Sequence, residues 1–126
     1  MCRWYEFYGL NEYNNVIETI IQENKATDYY FELKVILTEA ITNAYKHGND
    51  HDPSKVIKVG SMMTGGLLEL QVVDSNDKNS IVKIPESLSD DNLLDASGRG
   101  LFLIKSLADT VAYQENTLFI SKKLRG

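Results

Sequence analysis

The chain has 126 residues, of which 43% are hydrophobic and 25% charged, a composition typical of one soluble globular domain rather than a disordered segment. Its net charge of −5 argues against general nucleic-acid binding, which favours a basic face, but leaves room for a nucleotide held by backbone amides. One cysteine, Cys2, and the lack of any apolar run long enough to cross a membrane favour a cytoplasmic location.

The first part of the chain predicts a strand followed by a helix. Residues 3–8 are rich in aromatics and predict an opening strand, and residues 9–11 predict a turn after it. Residues 12–24 predict an amphipathic helix, because four apolar side chains recur at helical spacing. These side chains are Val16, Ile17, Ile20 and Ile21. Thr27 or Asp28 is the candidate N-cap of the next helix.

Residues 31–49 predict the central helix. Glu39, Asn43 and His47 recur every four residues and therefore share one helix face. Another face carries an apolar stripe that is expected to pack into a core. The stripe consists of Leu33, Ile36, Leu37, Ala40, Ile41 and Ala44. Gly48 suits a left-handed helix end.

A hairpin is predicted after the central helix. Residues 56–62 and 67–73 are β-rich, and the segment 64–66 between them contains two glycines, a strong hairpin signal. The polar stretch 49–55 precedes this hairpin and contains His51 next to acidic residues. A solvated turn is favoured there over a metal site, because a single imidazole matches no structural zinc pattern.

The last part of the chain predicts a loop, a helix and a second hairpin. Residues 87–97 are polar and acidic, as expected of a binding loop or lid. A helix is predicted over 101–109 and strands over 111–115 and 117–124, with the turn at Asn116 because asparagine tolerates positive φ.

The predicted order is strand, helix, helix, hairpin, loop, helix, hairpin. Three helices on a mostly antiparallel, mixed sheet form a two-layer α+β sandwich. We therefore expect a single α+β domain that covers residues 1–126.

Several side chains are candidates for nucleotide chemistry. Gly98 and Gly100 precede an amphipathic helix and would let a phosphate approach its free amides, although a tight loop-to-helix turn explains them equally well. Asp74 ends a buried strand, where it can accept a hydrogen bond from a base or cap a turn. If ATP binds, the amide oxygen of Asn43 suits Mg²⁺ and Glu39 can accept a proton.

The run Glu39, Asn43, Ala44, His47, Gly48 resembles the N-box of the GHKL ATPases, also called the Bergerat-fold family. Within that family the chain is most similar to the anti-sigma-factor serine/threonine kinases. The resemblance implies the same α+β layout, and it implies Mg²⁺ and ATP as cofactor and phosphoryl donor.

The resemblance also implies roles for individual residues. Glu39 would be the general base, Asn43 the Mg²⁺ ligand and Asp74 the reader of the adenine amino group. The family motif Asp-x-Gly-x-Gly begins at Asp74, but Asn76 and Lys78 stand at the two glycine positions here, and asparagine can imitate the first glycine.

The remaining nucleotide contacts implied by the resemblance lie near the phosphates. They are His47, Gly98, Arg99, Gly100, Leu101 and Thr117. Thr117 corresponds to the threonine of a Gly-Thr pair whose glycine is Asn116 in this chain.

The partners implied are an anti-sigma-factor antagonist that accepts the phosphoryl group, a sigma factor, and a second copy of the chain; direct contact with nucleic acid or membrane is not expected. Two alternatives remain open. One is a non-catalytic module that binds nucleotide or protein, and the other is the ATP-binding half of a split histidine kinase.

Overall fold

The computed structural model describes residues 2–75 and 96–124. Within those ranges, five strands form one antiparallel sheet with the order β1-β2-β3-β5-β4. The strands are β1 (Arg3–Tyr8), β2 (Val56–Thr64), β3 (Leu67–Val73), β4 (Thr110–Gln114) and β5 (Thr117–Lys123). Asn76 and the predicted loop up to residue 95 lie outside the described residues.

The helices are α1 (Tyr13–Glu23), α2 (Tyr30–Asn43) and α3 (Ala96–Leu107). Their apolar faces meet the alternating inward residues of the strands in one core. The core includes Ile17, Ile20, Ile21, Leu33, Ile36, Leu37, Ile41, Ile57, Val59, Leu68, Leu70, Val72, Leu101, Ile104, Leu118 and Ile120. The predicted α+β sandwich and the packing stripes of its helices are therefore confirmed.

Both predicted hairpins are present and turn through two residues. Gly65 and Gly66 have φ values of 56° and 83°, and Glu115 and Asn116 have φ values of 49° and 64°. Positive φ at both central positions suits the right-handed twist of the flanking strands. The prediction of positive φ at Asn116 is thus confirmed.

The start of the central helix differs from the prediction. The chain enters α2 through a 3₁₀ turn, Thr27–Tyr29, and the N-cap is Tyr29, which makes no side-chain capping hydrogen bond. The prediction of Thr27 or Asp28 as N-cap is wrong, because backbone hydrogen bonds of the 3₁₀ turn, rather than a side chain, bond the amides at this end. One of them runs from the Tyr29 amide to the Ala26 carbonyl at 2.9 Å.

The end of the central helix also differs. The α-helical part stops at Asn43 and continues as a π-helical turn, Ala44–Gly48. Gly48 does not take the predicted left-handed conformation; Asp50 and His51 do, with φ values of 52° and 62°. Gly48 serves a different purpose, because its lack of a side chain admits Asp74.

The last helix begins earlier than predicted. α3 starts at Ala96, so Gly98 and Gly100 lie inside its first turns rather than before them. Within residues 2–75 and 96–124, no helix combines the length and apolar content that a membrane span requires.

Candidate functional site

A cavity of about 370 Å³ opens between the C-terminal part of α2, its π-helical turn and the first turns of α3. This volume falls within the range of small-molecule sites. Its lining residues are Glu39, Thr42, Asn43, Lys46, His47, Arg99, Gly100 and Leu103. Five predicted site residues are therefore brought together, namely Glu39, Asn43, His47, Arg99 and Gly100.

Glu39 is packed tightly against α3. A Cβ atom added to Gly100 would lie 2.7 Å from Oε2 of Glu39, closer than real side chains approach. Gly100 therefore leaves the space that the tip of the Glu39 side chain occupies. The contact holds the carboxylate over the first turns of α3, where the helix dipole favours negative charge.

Two cations line the cavity. Lys46 and Arg99 are both exposed, and neither forms an ion pair with any residue in 2–75 or 96–124. Among the described lining residues, these two cations outnumber the one carboxylate, that of Glu39, so this part of the cavity has an excess of positive charge. Such a cavity attracts a polyphosphate.

The π-helical turn sets the directions of the side chains at the end of α2. It is closed by a hydrogen bond from the Asn49 amide to the Ala44 carbonyl at 2.8 Å. The wider turn brings Lys46 and His47 to the cavity that Asn43 also lines. Single π-helical turns inside helices occur frequently at functional sites.

Asp74 lies behind this turn rather than in the cavity lining. Its side chain is largely buried, with the residue 8% exposed, and packs on Gly48, where an added Cβ would lie 2.6 Å from the Asp74 Cβ. The Asp74 amide donates to the Asn116 carbonyl at 3.0 Å, so the strand-ending position predicted for Asp74 is the observed one.

Tyr113, on β4, contacts the same carboxylate. Its hydroxyl donates to Oδ2 of Asp74 at 3.3 Å. Burial, followed by the negative charge of Asp74 and this hydrogen bond, raises the pKa of Tyr113 to about 12. The phenol is therefore protonated at neutral pH and can act as a donor.

Asn49 is fully buried, and both ends of its amide are bonded. Nδ2 donates to the carbonyls of Lys55 and Val56, each at 3.3 Å, and Oδ1 accepts from the Ser75 amide at 2.7 Å. The Ser75 hydroxyl donates to the Val56 carbonyl at 2.7 Å. Asn49 thus connects the end of the central helix to the chain just after Asp74.

Two predicted contacts lie away from the cavity. Leu101 is 1% exposed and packs in the core, and Thr117 begins β5, where its hydroxyl donates to the Glu115 carbonyl at 3.3 Å. Gly98 lies in the first turn of α3.

Sequence reasoning did not select Thr42, Lys46 or Leu103 as site residues. Thr42 lies three residues after Glu39, Lys46 three after Asn43 and Leu103 four after Arg99, so helical spacing from the selected residues was an available signal. Asn49 and Tyr113 carried no such signal, since their partners are distant in sequence.

No group of three or more histidine, cysteine or acidic side chains able to hold a metal occurs among residues 2–75 and 96–124. Among the described lining residues, the amide of Asn43 and the carboxylate of Glu39 offer oxygen ligands suited to a hard cation, next to the Thr42 hydroxyl and the His47 imidazole. This donor set fits Mg²⁺, which usually takes one or two protein oxygens together with phosphates and water. It does not fit a metal held by protein ligands alone.

The comparison with known families agrees with this geometry. Residues 11–122 match the model of the histidine kinase-like ATPase domain, so the chain belongs to that family, the GHKL ATPases. The family is one of ATPase domains, which implies that the chain binds ATP.

Comparison with curated proteins finds relatives that are more specific than the family as a whole. The chain is 28% identical over 96 residues to the anti-sigma F factor of Geobacillus stearothermophilus, covering 73% of this chain and 64% of the relative. It is 26% identical over 99 residues to that of Geobacillus sp. (strain WCH70), covering 75% and 66%. For Geobacillus thermodenitrificans (strain NG80-2) the identity is 25% over 114 residues, covering 83% and 77%. The chain thus spans slightly less than two thirds of the first two relatives.

Proposed function

We propose that the chain is an anti-sigma factor that uses ATP to phosphorylate a serine or threonine of an antagonist protein. The observation that carries the proposal is the pairing of Glu39 and Asn43, one helical turn apart in a cavity with two cations. The names of the anti-sigma F factor relatives support the regulatory part of the proposal.

In this proposal the triphosphate of ATP occupies the cavity and the base lies toward Asp74. Lys46 and Arg99 neutralise phosphate charge, and the first turn of α3, which includes Gly98, offers backbone amides. Gly100, which has no side chain, lets the phosphates approach the helix closely. Asp74 accepts a hydrogen bond from the adenine amino group. His47 lines the phosphate end, and Asn76 and Thr117 are retained as further candidate contacts.

Asn43 would hold Mg²⁺ through its amide oxygen. When bound, the ion would supply positive charge that neutralises the phosphates during transfer. The role of Asn43 itself is to orient that ligand from a rigid helix. The Asn43 side chain is suited to this role, because it is half-buried at the end of α2.

Glu39 would act as the general base. A new bond forms between the acceptor hydroxyl oxygen and the γ-phosphorus, the bond from that phosphorus to the oxygen of ADP breaks, and the hydroxyl proton passes to Glu39. The contact with Gly100 keeps the carboxylate in place for this step.

The same chain would sequester a sigma factor, and it would act as a homodimer. One face of the sheet is not covered by the described helices, and it carries Trp4 and Phe119, which are 48% and 39% exposed. Light scattering on the purified protein tests the dimer, and a monomer at micromolar concentration would contradict it.

Calorimetric titration of ATP, with and without Mg²⁺, tests the site. We expect metal-dependent binding by the wild type and loss of the metal dependence in Asn43→Ala. Thr42→Ala is the matched control, because its hydroxyl already donates to the Thr38 carbonyl of its own helix at 2.7 Å. Absence of ATP binding by the wild type would contradict the proposal.

Phosphoryl transfer to a cognate antagonist tests Glu39. We expect Glu39→Gln to bind ATP and to lose transfer, and full transfer by this variant would refute the assigned base. ATP binding by the wild type without phosphoryl transfer would favour the alternative of a non-catalytic binding module. That alternative is considered because both motif glycines after Asp74 are replaced. An acid-labile product would favour the split histidine kinase, because phosphohistidine is acid-labile and phosphoserine is not.

A further inference from the structure

Two of the residues around the Asp74 carboxylate, Asn49 and Tyr113, belong to no nucleotide-binding motif, whereas the third, Gly48, belongs to the N-box. The carboxylate packs on Gly48 and accepts a hydrogen bond from Tyr113, and the chain directly after Asp74 is bonded to Asn49. These contacts come from two separate parts of the chain, residues 48–49 and Tyr113. We call Asn49 and Tyr113 the carboxylate frame.

Asn49 acts on the backbone of the Asp74 segment. It is a buried carboxamide with 0% exposure. Its three hydrogen bonds join the residue after the π-helical turn to the start of β2 and to the chain that follows β3. Its bond to the Ser75 amide is the shortest of them, at 2.7 Å. Loss of Asn49 would leave buried polar groups of β2 and Ser75 without this partner, so the segment would shift.

Tyr113 acts on the side chain. Its hydroxyl is a neutral donor to Oδ2, and such a bond favours the ionised carboxylate and restrains rotation of the group. Asn76 and Lys78 stand at the two glycine positions of the family motif after Asp74. We therefore expect groups outside that motif to contribute more to the orientation of the Asp74 carboxylate.

We propose that Asn49 and Tyr113 are positioning residues that orient Asp74 to select bases carrying an adenine-type amino group. This inference rests on the proposed function, in which Asp74 reads that group. Neither Asn49 nor Tyr113 is among the described residues that line the cavity proposed for the phosphates and Mg²⁺. The frame therefore sets base selectivity rather than general nucleotide affinity.

The test compares two nucleotides that differ in one group. ATP and purine riboside triphosphate, which lacks the amino group, are titrated into each variant in the presence of Mg²⁺. The wild type is expected to prefer ATP by about ten- to a hundredfold, as for one hydrogen bond to a charged group. Asp74→Ala is expected to abolish the preference and serves as the reference.

Tyr113→Phe and Asn49→Ala are the decisive variants. Each is expected to reduce the preference at least about threefold while leaving the affinity for purine riboside triphosphate unchanged. Tyr113→Phe should have no additional effect when combined with Asp74→Ala. Tyr113→Phe removes only one oxygen, so it decides the question even if Asn49→Ala does not fold.

The controls remove the same groups elsewhere. Tyr45→Phe deletes a hydroxyl that donates to the His51 carbonyl, and Asn24→Ala deletes a carboxamide that donates to the Ile20 carbonyl. Both should retain the wild-type preference.

Three results would overturn the inference. An unchanged preference in Tyr113→Phe shows that the frame does not orient Asp74. An equal loss of affinity for both nucleotides shows a purely structural role. No preference in the wild type, or an undiminished one in Asp74→Ala, removes the adenine-reading role of Asp74 itself, and this failure of the proposed function is distinct from the first two.

Discussion

Replacement of Gly48 by alanine tests whether the contact with Asp74 matters for both stability and binding. An added Cβ would lie 2.6 Å from the Asp74 Cβ, whereas carbon atoms pack best at about 3.5–4.0 Å. The two segments must therefore separate by about 1 Å. The movement involves the base of the Asp74 side chain, which rotation about its own bonds cannot relieve.

The cost follows from two opposing effects. Overpacking of this kind costs about 1–3 kcal/mol, while replacing a helical glycine by alanine returns up to about 1 kcal/mol. Because Gly48 does not have a positive φ, that gain applies. We expect Gly48→Ala to lower the free energy of unfolding by about 1–2 kcal/mol and to weaken ATP binding tenfold or more.

Urea unfolding and calorimetric titration of ATP measure the two effects. The matched control is Gly65→Ala, where no atom lies within 4 Å of an added Cβ but φ is +56°. Left-handed strain there costs about 1–2 kcal/mol, so the control loses similar stability without touching Asp74. Wild-type ATP affinity in Gly48→Ala, or an equal loss of affinity in Gly65→Ala, would refute the reasoning.

Three further outcomes are expected. Gly100→Ala displaces only the tip of the Glu39 carboxylate, so phosphoryl transfer should fall more than ATP affinity in steady-state kinetics, and an unchanged rate would contradict the contact. Ile41→Ala should lower the free energy of unfolding by about 2–5 kcal/mol in urea, because Ile41 is 0% exposed. Phe31→Ala at 77% exposure should change it by less than about 0.5 kcal/mol, and equal effects would contradict the packing. The raised pKa of Tyr113 stabilises the fold below the ordinary tyrosine pKa of about 10, and this contribution is lost as pH rises toward about 12. Absorbance titration should show that Tyr113→Phe removes a tyrosine that ionises near pH 12; loss of one that ionises near the ordinary value of about 10 would contradict the assigned pKa.

Much of the fold was predictable because its signals are local. Residues three or four apart share a helix face, which identified the core stripes of α1 and α2. Glycine and asparagine tolerate positive φ, which located both hairpin turns. The cap of α2 was not predictable in this way, because a backbone 3₁₀ turn replaced the side-chain cap that the sequence offered.

The candidate site was predictable only in part. The spacing of Glu39, Asn43 and His47 placed three cavity residues on one helix before any tertiary contact was considered. The role of Gly48 was misjudged, since a glycine near a helix end usually serves its own backbone. Here it admits Asp74, a residue that is brought to it by the sheet.

The sequence by itself determined the helix and strand pattern, the turn chemistry and the row of polar side chains on the central helix. Only the tertiary structure decided what those side chains meet. Gly100 admits Glu39, and Asn49 bonds the chain at Ser75, 26 residues away. Such contacts depend on how helices pack on a sheet, and no local periodicity encodes the distance between residues that are far apart in the chain.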